Sequence, residues 1–337
     1  MKQENKLLPG SLFCLLIGAA AWVMANYIPT VGKLIGGPVF AILLGMILAF
    51  WKRPSAMDAG ITFCSKKILQ YSIIFIGFGM NIRTVLATGG QSLAVMLCTI
   101  AASLLTAFLM GRVLKVPSNI ATLIGVGTSI CGGSAIAATA PVIEADDREV
   151  AYSISTIFLF NILAVFIFPA LGRVFHMTDT GFGIWAGTAI NDTSSVVAAG
   201  FTFSDAAGEL ATIVKLTRTL MIIPITLALT VHRTWKRKQQ GTAAASNYSI
   251  VKIFPWFVLG FLLTAILNST GWIPSAASSW LNELGKFGIM VAMAGIGLNT
   301  NLKSLVKNGV RPIALGLCCW FVVAVVSLVV QHLLHLV

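Results

Sequence analysis

Apolar runs long enough to cross a bilayer recur along almost the whole chain. With about 17–25 residues as the spanning length, they fall near 11–28, 35–51, 66–81, 91–111, 119–140, 150–171, 183–201, 209–231, 252–268, 283–298 and 312–335. In hydrocarbon every backbone N–H and C=O must be satisfied within its own segment, so these runs are read as helices. The 337 residues are 57% hydrophobic and only 10% charged, where soluble domains carry about 25% charged residues. The expected fold is an all-α polytopic membrane protein with about 11 transmembrane helices, as a single transmembrane domain over 1–337. Lys2 through Tyr27 has the basic start and apolar run of a signal peptide. Its length, and the spans that follow, favour a retained first helix.

Charge then sets the orientation. The net charge of +12, from 23 Lys+Arg and 11 Asp+Glu, has no basic stripe or aromatic platform with it, so nucleic acid is not the expected partner. With Lys2 and Lys6 inside, the inner loops hold Lys52, Arg53, Lys66, Lys67, Arg112, Lys115, Arg173, Arg233, Lys236, Arg237, Lys238, Lys252, Lys303, Lys307 and Arg311. The outer loops hold Lys33, Arg83, the acidic run Glu144–Glu149 with Arg148, Asp205, Glu209 and Glu283. The alternation follows the positive-inside rule with the N-terminus cytoplasmic and the C-terminus outside. A basic, then Ala- and Ser-rich stretch at about 232–251 reads as a cytoplasmic linker.

Several chemistries find no support. The six cysteines show no C-x-x-C spacing and the four histidines form no ligand motif, so no metal site is expected. There is no P-loop and no paired catalytic carboxylates, His cluster or nucleophile–base pair in the spans, so neither ATP hydrolysis nor an enzyme is expected. No cofactor is expected beyond a transported or coupling Na⁺. Most tryptophans fall near run ends, as interfacial anchors do.

One stretch is too rich in glycine and hydroxyls for a simple span. Gly127 to Ala140 reads Gly-Thr-Ser-Ile-Cys-Gly-Gly-Ser-Ala-Ile-Ala-Ala-Thr-Ala, and Gly187 to Gly200 reads Gly-Thr-Ala-Ile-Asn-Asp-Thr-Ser-Ser-Val-Val-Ala-Ala-Gly. The two agree in register at 127/187, 128/188, 130/190, 134/194 and 138/198. Such composition fits interrupted helices, tolerated at membrane depth only where the backbone is buried in protein or lines a cavity. A half-helix N-terminus suits an anion, and a half-helix C-terminus suits a cation. The substrate-binding candidates are therefore Gly127, Thr128, Ser129, Cys131, Gly132, Gly133 and Ser134, with Thr188, Asn191, Asp192, Thr193, Ser194 and Ser195. Tight packing of small residues is the competing use.

Asp192 falls near mid-membrane, where an ionisable group needs a partner or water. Lys215 and Arg218 in the next run are at i and i+3, on one helix face. They can clamp an anion, while Asp192 exchanges a proton or helps hold Na⁺. Alternatively, Asp192 and Arg218 form a structural pair, or Lys215 snorkels to the surface. Asn81, Asn161 and Asn299 are weaker candidates, expected in interhelical hydrogen bonds. A second echo, Gly77-Phe-Gly-Met-Asn81 and Gly295-Ile-Gly-Leu-Asn299, ends the third and tenth runs in opposite orientations. Setting the first run aside leaves two inverted halves of five, about 35–171 and 183–337, with the fifth and tenth runs matched as broken helices. On that count the fifth and seventh runs point the same way, which leaves the Gly127/Gly187 echo unexplained.

The Gly127 and Gly187 motifs, followed by Val214-Lys-Leu-Thr-Arg218, resemble the YeiH-like family of bacterial inner-membrane proteins, provisionally labelled sulfate exporters. The resemblance runs over nearly the whole chain. It implies inverted repeats with broken crossing helices, similar to bile acid–sodium symporters at the level of fold. The expected function is a secondary active transporter of a small anion, sulfate- or sulfonate-like, coupled to Na⁺ or H⁺. The alternative is a cation/proton antiporter with Asp192 as ion carrier. The expected partners are the anionic solute and membrane lipid, with a homodimer as an allowed assembly.

Overall fold

A computed structural model describes residues 4–28, 36–51, 53–225, 227–229, 255–300 and 309–336, and every element among them is helical. In order these are α1 (Glu4–Tyr27), α2 (Gly37–Leu48), α3 (Ser55–Gly79), α4 (Ile82–Val113), α5 (Ser118–Ser129), α6 (Gly133–Ile143), α7 (Asp147–Val174), α8 (Asp179–Ala189), α9 (Thr193–Phe203), α10 (Asp205–Leu220), α11 (Trp256–Ser269), α12 (Ser275–Asn299) and α13 (Val310–Leu333). The expected linker lies outside the described residues. Among the described residues, seven helices are long and apolar enough to cross a membrane: α1, α3, α4, α7, α10 with its extension to Leu229, α12 and α13. Four shorter helices, α2, α6, α9 and α11, are also apolar. Large apolar side chains lie exposed along outer faces, such as Leu97, Leu105 and Phe108 of α4 and Phe321, Val325 and Val329 of α13. A soluble protein would not leave such surfaces in water; the fold is that of a membrane protein and is consistent with a polytopic one.

The helices form two packed sets. In one, α12 packs against α1, α2 and α3, and α11 against α3. The other gathers α4 through α10 and α13. Contacts of α9 with α2 and α12, and of α11 with α4, join them. Polar contacts tie the first set within itself at one end and cross the join at the other. At one end, Arg53 donates to Leu298 O at 2.6 Å and to Asn299 Oδ1 at 3.2 Å. At the other, Lys286 of α12 pairs with Asp205 of α10 at 2.7 Å.

Two expected spans prove to be hairpins. In the run 119–140, α5 ends at Ser129 and α6 begins at Gly133, and the chain doubles back between them. Asn119 at the start of α5 donates to Glu149, beyond the end of α6, at 2.9 Å. Gly127 faces Ile136, and Ile120, Leu123 and Ile124 share a core with Ile136, Ala140 and Ile143. In the run 183–201, α8 ends at Ala189 and α9 begins at Thr193. Here Ser204 donates to Asp179 at 2.6 Å, and Phe182 and Phe203 stack at 4.0 Å, so the two ends are neighbours. Arms of 11–12 residues are about 17–18 Å long, roughly half a 30 Å hydrocarbon core.

The reversals move two loops. The Glu144–Glu149 turn lies at the end of the bundle that carries Arg112 and Lys115, not opposite it. Arg173, which donates to Thr202 O at 2.7 Å, lies at the end that carries Asp205. Both placements are the reverse of the sequence expectation. Two hairpins cancel in the count of crossings, so every later loop keeps its expected side. The tenth run also differs: α12 is continuous through Gly295-Ile-Gly-Leu-Asn299, and the break matching the fifth run lies in the seventh.

Candidate functional site

The two breaks have the same register. Helix ends at Ser129 and Ala189, and helix starts at Gly133 and Thr193, are each sixty residues apart, like the motifs themselves. Because each hairpin enters from a different end of the bundle, α5 and α8 run in opposite directions. A direct sequence echo thus becomes an inverted structural one, which accounts for the match between the fifth and seventh runs. Between the tips, α7 crosses once, and its Asn161 Oδ1 accepts from Asp192 N at 3.2 Å. The arms of the second hairpin lie close on α10: a Cβ on Gly187 would stand 2.6 Å from Val214 Cβ.

Four half-helices converge on this point, and their dipoles give it two kinds of charge. The C-terminal ends of α5 and α8 present unsatisfied carbonyls. Lys215 donates to Ile130 O at 2.8 Å and Ile190 O at 3.0 Å, an equivalent pair. Arg218 donates through Nε to Ser129 O at 2.7 Å and through Nη1 to Thr188 O at 2.6 Å. It also donates through Nη1 to Ile190 O at 3.4 Å and through Nη2 to Thr128 O. Both side chains are fully buried. The two cations therefore tie the hairpins together through backbone carbonyls, rather than standing open as an anion clamp. Lys215 does not snorkel, and no Asp192–Arg218 ion pair is formed among the described residues.

The N-terminal ends of α6 and α9 differ from each other. At α9, Asp192 is the N-cap: its carboxylate accepts from Ser194 N at 3.0 Å and from Ser194 Oγ. At α6 the equivalent residue is Gly132, at φ +67° and ψ −121°, with no side-chain cap. Only glycine adopts that conformation readily. The Ala135 N–H meets the Cys131 thiol, and the N–H groups of Gly133 and Ser134 are left for another acceptor. Gly133, Asp192 and Thr193 are half-buried and Ser134 is exposed, so this edge of the tips is accessible.

Neutral polar groups complete the setting. A Cβ on Gly132 would lie 3.7 Å from Asn161 Nδ2 and 3.7 Å from Asp192 Cβ. Asn161 is 2% exposed, and its Nδ2 has no hydrogen-bond partner among the described residues. Neither amide atom of Asn191, 1% exposed, has one, nor does Thr128 Oγ1. Cys131 is buried in the first tip, while Ser194 and Ser195 lie in the first turn of α9. Of the weaker candidates only Asn161 reaches the tips. Asn81 caps α4 through Arg83 N, and Asn299 bonds Arg53 at the basic end.

Sequence reasoning missed Ser327 of α13, whose hydroxyl lies 2.7 Å from Thr188 Oγ1 and accepts from Gln331 at 3.1 Å. Two polar residues four apart, Ser327 and Gln331, in a helix whose other polar side chains, Arg311 and His332, lie at its ends were the available signal. It also read tryptophans as interfacial, whereas Trp185 is buried, stacks on Phe168 at 4.2 Å and donates to Ala324 O at 3.0 Å.

Residues 9–316 match the family described as Conserved hypothetical protein 698. The chain is 50% identical to a UPF0324 membrane protein of Streptococcus mutans, over 99% of each chain. It is 48% identical to the UPF0324 membrane protein SpyM3_0740 of Streptococcus pyogenes, over 98% of each. It is 44% identical to the UPF0324 membrane protein FN0533 of Fusobacterium nucleatum, over 98% of this chain and 99% of that one.

Proposed function

For this chain, which belongs to the Conserved hypothetical protein 698 (UPF0324) family of membrane proteins, we propose secondary active transport of a small anion, sulfate- or sulfonate-like. The observation that carries the reading is the asymmetry at the hairpin tips. Lys215 and Arg218 satisfy the carbonyl ends of α5 and α8, while the N-terminal end of α6 is uncapped at an accessible edge. An anion there meets backbone N–H groups, a helix dipole and the Ser134 hydroxyl.

Hairpins from opposite ends that meet at mid-depth suit alternating access, since a small shift of the tip-bearing set exposes the same site to either side. The basic end, with Arg53, Arg112 and Lys115, is taken as cytoplasmic. The protein then sits in the bacterial inner membrane, N-terminus inside and C-terminus outside, with coupling to Na⁺ or H⁺. The repeat supported by the hairpins is one hairpin plus its following helix; the wider halves, 35–171 and 183–337, extend that proposal. Purified protein in proteoliposomes, loaded with sulfate, a sulfonate, chloride or a neutral solute under Na⁺ or pH gradients, tests the reading. Gradient-driven flux of an oxyanion supports it, and flux of neutral solutes alone overturns it.

The half-buried Asp192 carboxylate favours a second reading, cation/proton antiport with Asp192 as carrier. Proton release on adding Na⁺ to the proteoliposomes, abolished by Asp192→Asn, is its signature.

A further inference from the structure

An anion on the α6 N-terminus has a charged neighbour of its own sign. The Cβ position of Gly132, the residue that opens α6, is 3.7 Å from Asp192 Cβ. A carboxylate and an anion held this close, away from bulk water, repel each other. Lys215 and Arg218 offset part of this repulsion through space, but their donors are engaged by carbonyls of the two tips and are not directed at the anion. Lys215 of α10 and the thiol of Cys131 on the first tip are the titratable or charged groups that act on Asp192 among the described residues. From α7 the facing group is the neutral Asn161. Its unpartnered, buried Nδ2 points to the same place beside Gly132 and supplies one more donor for an anion.

Resting on the anion-transport reading, we propose that Asp192 is the coupling group of that site: the anion binds when the Asp192 carboxylate carries a proton, and the two move together. The proton neutralises Asp192 without removing its cap, since a carboxyl oxygen still accepts from Ser194 N. The asymmetry between Gly132 and Asp192 then has a purpose. One returning helix offers its N–H groups to the solute, and the other holds the titrating group beside it.

The test is sulfate binding to the purified full-length protein between about pH 5 and pH 8, with proton uptake read by a pH indicator. If one proton is taken up per anion, wild-type affinity rises by up to about tenfold for each unit that the pH falls. Asp192→Asn and Asp192→Ser keep a capping side chain and bind sulfate with a flat pH profile and no proton uptake. Wild-type binding that ignores pH, or that requires Na⁺ instead, overturns the coupling role while leaving the anion site standing. A wild-type slope preserved in both variants also overturns it. Failure of all three proteins to bind sulfate at every pH overturns the anion reading and this inference with it.

Discussion

Replacing Arg218 by Met removes the guanidinium and leaves an apolar stem of similar length. Three short donations end, to Ser129 O, Thr188 O and Thr128 O, together with the long one to Ile190 O at 3.4 Å. Bonds of this kind contribute about 0.6 kcal/mol each by membrane measurements and about 1.5 kcal/mol when a charged donor is involved. Three of them give about 2–5 kcal/mol, offset in part because the variant no longer buries a cation. Lys215→Met ends two donations, for about 1–3 kcal/mol on the same scale. The expected order of stability is wild type, then Lys215→Met, then Arg218→Met. Arg218→Lys falls between the last and wild type, because one ammonium cannot present three forked donors to carbonyls of two hairpins. Reversible unfolding in mixed detergent micelles, followed by tryptophan fluorescence, measures it. If Arg218→Met unfolds within about 0.5 kcal/mol of wild type while sulfate affinity collapses, the guanidinium acts on the anion and the tie described above is wrong.

Three further substitutions probe neighbouring features. Gly132→Ala forces a Cβ into φ +67° and ψ −121°, so it lowers stability by about 1–3 kcal/mol in the same unfolding assay. Gly187→Ala places its Cβ 2.6 Å from Val214 Cβ. It is expected to cost about 1–3 kcal/mol by overpacking α8 on α10, with Val214→Ala on the same chain restoring part of the loss. Lys286→Gln removes pairs with Asp205 and Glu283 whose carboxylate side chains are 69% and 67% exposed. Screening limits that loss to below about 1 kcal/mol, as thermal denaturation in detergent would show.

Much of this was legible in the sequence, down to one of the breaks. Glycine and hydroxyl clustering pointed to the interruption in the run 119–140, while its partner was expected in the tenth run and lies in the seventh. What was not legible is direction. A hairpin of two 11–12-residue arms has the length and hydropathy of one spanning helix, so the runs 119–140 and 183–201 passed as spans. The positive-inside test could not object, because the error exchanged one basic residue on each side, Arg148 for Arg173. The clue was the register of Gly127 with Gly187. Two homologous breaks separated by one crossing helix fit an inverted pair only if both turn back. The roles of Lys215 and Arg218 were hidden for another reason. Their partners are backbone carbonyls, which leave no signature in residue identity.

Side-specific labelling of single cysteines, on a background without the six native ones, tests the paired hairpins most directly. Cysteines at Lys115, Arg148, Thr180 and Ser204 flank the two hairpins, and a membrane-impermeant maleimide applied to oriented vesicles reads which side each occupies. The account predicts positions 115 and 148 on one side and 180 and 204 on the other. Positions 115 and 180 labelled from one side, with 148 and 204 from the opposite side, would mean that both segments span the membrane, and would contradict it.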